Sequence, residues 1–279
     1  MTLVAAFASS GGTLLFADTQ ETVTGYSKRK VDKLTVYDWE PFRFGIAGAA
    51  DDARYLDVLQ AELANSLFKV QAFDLKTITV SLTDTLTTFY GKHIWPQAAS
   101  KPQMEYMVVI QPRPSGWPEI FHVSESAVTL VPTSYKSIGI GSYLSDYLQN
   151  LLHEGGESLL QVITTAVYIA REVREHIDGV GPVERIGVFH NDGTYNEVSW
   201  EDIETIEKQI WNLQEIQTTA FKSATREPDE SHEAETRFIA GTASDIRQEL
   251  AKWYAQWSMC CQHAQRQARK RAEGADQAS

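Results

Sequence analysis

Cysteine is nearly absent from this chain of 279 residues, in which Cys260 and Cys261 are the only two and stand side by side. Adjacent cysteines rarely bridge each other, and two cysteines cannot build a disulfide framework. Long apolar segments are missing too. No run of about 18 apolar residues occurs, and the first residues carry no charged leader, so the sequence predicts neither a membrane span nor a signal peptide. We therefore expect a cytoplasmic protein.

Basic charge is in deficit. The chain has 25 lysines and arginines against 37 aspartates and glutamates, which gives a formal net charge of -12. This excess of negative charge argues against nucleic acid or an anionic membrane as a partner. The basic segment from Arg266 to Arg271 is too short to reverse that expectation. The seven histidines show no metal-ligand spacing, so we predict no metal site and no other cofactor.

Apolar periodicity predicts strands, two helices, strands, two helices and a strand. Strands are predicted at residues 2–9, 13–18, 33–37, 42–47, 104–111, 119–123, 127–131, 136–140 and 183–189, and helices near residues 51–67, 75–93, 144–151 and 160–173. Helices that arrive in pairs after antiparallel strands favour a layered α+β sandwich over alternating βαβ units. The predicted fold is a four-layer αββα sandwich over residues 2–196.

The remainder of the chain is predicted to be an appendage. Residues 197–264 form a helical C-terminal extension with a polar linker at residues 222–236, and residues 265–279 form a disordered tail. Its last helix carries an apolar stripe that includes Trp253 and Trp257. Such a stripe has to be buried against its own domain or against a neighbouring subunit.

The second residue suggests an enzyme. Because Thr2 has a small side chain, Met1 can be removed, and removal leaves Thr2 with a free α-amino group. A threonine hydroxyl beside its own amine is a nucleophile with a built-in base. The unperturbed pKa of such an amine is about 7.7–8.0, which suits proton transfer near neutral pH.

Several segments occur in an informative order after Thr2. They are the Gly11-Gly12 hairpin turn, Ala17-Asp18, Val31-Asp32-Lys33-Leu34, Ala47-Gly48-Ala49-Ala50, Gly139-Ile140-Gly141-Ser142 and Val180-Gly181-Pro182-Val183-Glu184-Arg185. Together they resemble the proteasome β-subunit family of N-terminal-nucleophile (Ntn) hydrolases. The last segment looks nearest to the bacterial ancestral proteasome-like (Anbu) branch. The resemblance extends from Thr2 to about Gly193.

The resemblance implies a catalytic set of four residues. Thr2 would be the nucleophile, and Lys33 would favour its neutral amine and stabilise the alkoxide. Asp18 would pair with that buried lysine, since an ammonium without a partner is costly to bury. The backbone N–H of Gly48 would be the oxyanion donor, because a glycine lets the substrate carbonyl approach closely.

The same likeness implies a pocket and shows two departures. Ile46 and Ala49 would line the pocket for the residue before the cut, which favours a hydrophobic side chain there. Ile140 occupies the position where the family often has a serine. An Asp and Ser pair that usually supports the N-terminus has no clean counterpart, and Glu175 or Asp178 is left as a substitute.

The predicted function is therefore a threonine-type Ntn endopeptidase that hydrolyses peptide bonds through an acyl-enzyme on Thr2. Its partners would be identical subunits in a homo-oligomeric ring, a peptide or unfolded protein substrate and, by family likeness, an unfolding ATPase. Two alternatives stay open. One is a non-catalytic proteasome-like ring subunit, and the other is a small-molecule Ntn amidase.

Overall fold

The computed structural model describes residues 2–23, 27–96, 102–125, 127–132, 134–152, 155–224 and 232–276. It divides into two compact units, residues 1–200 and residues 201–279. Among the described residues, no helix combines the length and the apolar character needed to cross a membrane.

The first unit contains two five-stranded antiparallel sheets and a separate hairpin. The strands are β1 (Val4–Ser9), β2 (Gly12–Asp18), β3 (Gln20–Val23), β4 (Ser27–Lys30), β5 (Leu34–Asp38), β6 (Phe42–Ala50), β7 (Met104–Pro112), β8 (Glu119–Ser124), β9 (Ala127–Leu130), β10 (Tyr135–Ile138), β11 (Val183–His190) and β12 (Tyr195–Val198). One sheet has the order β10-β1-β2-β11-β12, the other has the order β5-β6-β7-β8-β9, and β3 pairs with β4.

Helices cover the outer faces of both sheets. They are α1 (Ala53–Leu67), α2 (Leu75–Phe89), which continues into a π-helical turn at Tyr90–Ile94, α3 (Ser142–Leu152) and α4 (Leu159–His176). The α1 and α2 helices contact β6 and β9, whereas α3 and α4 contact β10, β1 and β2. Contacts of β1 and β2 with β6 and β7 hold the sheets face to face. The predicted αββα sandwich is confirmed.

Strand β6 shows how the sequence builds these layers. Successive side chains of a strand point to opposite faces. Phe42, Phe44 and Ile46 join the core between the second sheet and its helices, and Ala47 and Ala49 join the core between the sheets. Small residues on the second face let the two sheets approach closely.

The second unit contains α6 (His232–Asp276) and all of α5 (Trp200–Ala224) except its first residue. The indole N–H of Trp253 donates to a carboxylate oxygen of Asp202 at 2.7 Å, and the Trp253 ring stacks on Trp257. The helix continues to Asp276, where we expected a disordered tail, because alanine, arginine, lysine and glutamine are strong helix formers. The middle of the predicted linker, residues 225–231, lies outside the described residues.

Candidate active site

The Thr2 side chain contacts a buried lysine. Lys33 Nζ donates to Thr2 Oγ1 at 2.7 Å and to Asp18 Oδ1 at 2.9 Å, and it also donates to the backbone carbonyl of Gln20. Thr2 is 5% exposed, Lys33 is 4% exposed and Asp18 is fully buried. Since the ammonium already has acceptors for its N–H bonds, the charge can stay buried beside the hydroxyl.

Asp18 fixes the backbone around this lysine. Its Oδ1 accepts the backbone N–H of Leu3 at 2.9 Å. Its Oδ2 accepts the backbone N–H of Gln20 at 3.1 Å and that of Gly181 at 2.9 Å. One carboxylate therefore ties β1, the start of β3 and the loop before β11 to the same point. Hydrogen bonds to a carboxylate are the strong, charge-assisted kind.

Position 181 requires glycine for a steric reason. A Cβ added at this position would lie 2.3 Å from Cβ of Gln20. Only a residue without a side chain lets the loop backbone come this close and donate to Asp18. In the sequence, the Val180-Gly181-Pro182 segment was noted only as part of the family resemblance. In the structure it helps to hold the Asp18 carboxylate beside Lys33.

The backbone carbonyl of Thr2 is held by a second glycine segment. Gly141 N–H donates to this oxygen at 3.4 Å. Gly139 has a φ of +87°, and a Cβ there would lie 2.2 Å from the Thr2 carbonyl oxygen. Both the left-handed backbone and the close approach require glycine at position 139.

Gly48 lies in β6 opposite Tyr106 of β7. A Cβ at position 48 would meet the Tyr106 ring at 2.5 Å and Leu56 at 2.7 Å. The glycine therefore lets the tyrosine ring pack against the strand, and the Tyr106 hydroxyl donates to the Leu56 carbonyl at 2.7 Å. This packing fixes the end of β6 that leads to Ala49.

Thr2 opens onto a cavity of about 360 Å³. The described residues that line it are Thr2, Ala49, Ala50, Asp51, Gln103, Glu105, Gly139 and Ile140. Of the two residues suggested for a substrate pocket, Ala49 lies in this lining. Ile46 lies instead in the core under the helices and is fully buried, because it is on the opposite face of β6.

Glu105 is a lining residue that sequence reasoning missed. It pairs across the sheet with Ala49, so both side chains share one face. Its side chain is 39% exposed, and Nε2 of His122 lies 3.4 Å from its Oε1. The interaction with His122, aided by the backbone N–H of Gly139, lowers the pKa of Glu105 against the opposing effect of burial. The signal available in the sequence was a carboxylate near the start of an otherwise apolar strand.

The two departures from the family pattern have clear locations. Ile140 is 43% exposed and lines the cavity beside Thr2. Glu175 and Asp178 are both exposed, and neither is part of the cavity lining. No group of three or more metal-binding side chains is found within the described residues.

Comparison by sequence finds no matching protein-family model and no matching curated protein. Comparison by structure finds Anbu from Hyphomicrobium sp. strain MC1, with a TM-score of 0.64 at 13% identity, covering 82% of this chain and 99% of that chain. Anbu, the ancestral beta-subunit, from Yersinia bercovieri has a TM-score of 0.66 at 12% identity, covering 82% and 99%.

This chain has the Anbu fold. A third structure, titled a helical assembly of the Anbu complex from Pseudomonas aeruginosa, has a TM-score of 0.64 at 12% identity, covering 82% of this chain and 99% of that chain. The resemblance inferred from the N-terminal motifs is confirmed at the level of the fold, and this proteasome-like fold is compatible with a hydrolase. The chemistry has to be argued from the residues around Thr2.

Proposed function

We propose that this protein is a threonine-type Ntn peptidase that hydrolyses peptide bonds through an acyl-enzyme on Thr2. The observation that carries the proposal is the 2.7 Å hydrogen bond from Lys33 Nζ to Thr2 Oγ1, made inside a buried pair with Asp18 at the edge of a cavity. A buried cation beside a hydroxyl stabilises negative charge on that oxygen, and a nucleophile has to develop such charge.

The first step needs removal of Met1, because the nitrogen of Thr2 is otherwise part of a peptide bond. The free α-amine then takes the hydroxyl proton, through a water, as Oγ1 attacks the substrate carbonyl carbon. Lys33 keeps its own proton and donates a hydrogen bond throughout. Its positive charge also favours the neutral, basic form of the neighbouring amine.

The tetrahedral intermediate places a negative charge on the former carbonyl oxygen. We assign its stabilisation to the backbone N–H of Gly48, at the end of β6 near Ala49. Collapse of the intermediate breaks the C–N bond, the amine returns its proton to the leaving group, and an ester remains on Thr2. A water activated by the same amine hydrolyses that ester and restores the hydroxyl.

Self-association is part of the proposal. The Anbu structure from Pseudomonas aeruginosa is titled a helical assembly, which supports assembly of identical subunits here, and we propose a ring with the sites facing an inner chamber. Peptides or unfolded proteins would be the substrates, with an unfolding ATPase as the supplier. The free thiols Cys260 and Cys261 fit a cytoplasmic location. Light scattering on the full chain should give a mass of several subunits, and a monomer at micromolar concentration would contradict the ring.

Ile140 favours one alternative, a non-catalytic subunit of such an assembly. Its exposed apolar side chain lines the cavity where the family often has a serine beside the nucleophile. A covalent electrophile directed at Thr2 separates the two functions. An active enzyme forms an adduct on Thr2, whereas a non-catalytic subunit does not react.

The test of the proposed function is turnover of a peptide library by Thr2→Ala and Thr2→Ser variants. Thr2→Ala should lower turnover by at least about 10³-fold, since it removes the nucleophile. Thr2→Ser keeps the hydroxyl and should retain measurable activity. Equal activity of the parent and Thr2→Ala, at an unchanged thermal midpoint, would overturn the proposal.

A further inference from the structure

The cavity at Thr2 is acidic, and this feature points to a class of substrate. Among the described residues that line it, Asp51 and Glu105 are carboxylates, and none is lysine, arginine or histidine. Lys33, which lies behind Thr2, is paired with Asp18 and is 4% exposed. The described part of the lining therefore carries negative charge.

From this arrangement we infer that the cavity binds a cationic side chain, lysine or arginine, next to the scissile bond of the substrate. The inference rests on the proposed function, because it assigns a preference to the same nucleophile. It replaces the hydrophobic preference that Ile46 and Ala49 suggested, since Ile46 does not reach the cavity.

The composition of the lining suits a long side chain with a charged end. Ala49, Ala50 and Ile140 provide apolar surface for the methylene groups. Lysine and arginine bury such stems while their charged heads stay in a polar environment. A volume of about 360 Å³ lies at the small end of ligand pockets, which range over roughly 300–1,000 Å³.

Glu105 is held in place for this role. It lies opposite Ala49 in the sheet, and its neighbour His122 and the backbone N–H of Gly139 keep its pKa below the usual range. Gly139 is also the residue that packs against the Thr2 carbonyl. The carboxylate is thus charged at neutral pH and tied to the backbone that positions the nucleophile.

Asp51 is the second carboxylate of the described lining. Its N–H donates to the Gln103 carbonyl at 3.1 Å, and its Oδ2 accepts the Gln103 N–H at 3.2 Å. These two hydrogen bonds join the end of β6 to the start of β7. A cationic head between Asp51 and Glu105 would be attracted by two carboxylates on a fixed frame.

The experiment measures kcat/KM on internally quenched peptides that differ only in the two residues flanking the cut. Lysine, arginine, leucine and glutamate are compared at each position, with cleavage sites mapped by mass spectrometry. We expect the parent to prefer a basic residue at one of the two positions. Glu105→Gln should lower the basic-to-leucine ratio about two- to fivefold, Asp51→Asn should lower it less, and the matched control Asp84→Asn, on α2, should not change it.

A binding measurement separates failure of this inference from failure of the proposed function. Fluorescence anisotropy of the same peptides, labelled and bound to Thr2→Ala, needs no turnover. Tighter binding of basic peptides, weakened by adding Glu105→Gln, supports the inference even if the parent cleaves nothing. Equal binding of basic and leucine peptides, or a ratio that Glu105→Gln and Asp51→Asn leave unchanged, would overturn it.

Discussion

The hydroxyl and the carbonyl of Thr2 are held in contrasting ways. The hydroxyl accepts a hydrogen bond from the buried ammonium of Lys33, which also donates a charge-assisted hydrogen bond to Asp18. The carbonyl accepts the backbone N–H of Gly141 and lies against the backbone of Gly139, beside the cavity. The comparison teaches that charged groups beside the Thr2 hydroxyl support the chemistry. Beside the Thr2 carbonyl, positioning depends on residues that have no side chain.

The largest effect should come from removing the charged side chains that support the Thr2 hydroxyl. Lys33→Ala leaves Asp18 buried without its cation, so we expect a loss of about 3–5 kcal/mol in the free energy of unfolding and a fall in turnover on the order of 10²–10⁴-fold. Asp18→Ala should destabilise at least as much, because three backbone N–H groups lose their acceptor as well. Chemical denaturation and peptide turnover measure both quantities.

The exposed pair of Lys252 and Glu249 is the matched control. Lys252→Ala should change neither turnover nor the unfolding midpoint appreciably, since exposed pairs contribute little. If Lys33→Ala and Asp18→Ala behave like this control, the buried pair is not the support of Thr2 that we describe.

The carbonyl side should respond to added bulk. Gly139→Ala puts a Cβ against the Thr2 carbonyl in a left-handed conformation, so we expect a loss of roughly 1–3 kcal/mol in stability together with a clear loss of turnover. Gly156→Ala is the control, because Gly156 has a φ of +80° but nothing within 4 Å of its added Cβ. It should lower stability and spare turnover. Equal turnover in the two variants would argue against a positioning role for Gly139.

The smallest effect concerns the pH dependence of Glu105. Because its pKa is lowered in the folded state, its charge stabilises the fold above the unfolded pKa of about 4.3, and this contribution is lost as pH falls through the folded value. Near pH 5 the difference in unfolding free energy between the parent and Glu105→Gln should be no more than ~1 kcal/mol for this partly exposed group. It should shrink in more acidic buffer, and a difference that grows there would reverse the assigned sign.

Periodicity explains why the layers could be predicted from the sequence. The long strands of both sheets and the two helix pairs have uninterrupted apolar patterns, so their order alone indicated the sandwich. The hairpin of β3 and β4 and the strand β12 were missed, because each strand has only four residues and most of these are polar. Such strands form through pairing with a neighbour, which a local pattern does not reveal.

The residues of the candidate site also divide into those that the sequence predicted and those that it did not. Thr2, Asp18 and Lys33 were named from a family likeness, and the structure brings them into one hydrogen-bonded group. Glu105 was missed and Ile46 was placed in a pocket it does not line, because both depend on which face of a strand a residue occupies and on cross-strand pairing. These relations appear only when β6 and β7 are aligned.

The central claim, that Thr2 is an N-terminal nucleophile activated by Lys33, has one direct test. The purified full chain is treated with a hydroxyl-acylating peptide electrophile, and its intact mass and the modified residue are determined by mass spectrometry. The account predicts a chain that lacks Met1 and carries one adduct on Thr2, with far slower labelling of Lys33→Ala. A chain that retains Met1, or an adduct that forms elsewhere or at the same rate in Lys33→Ala, would contradict it.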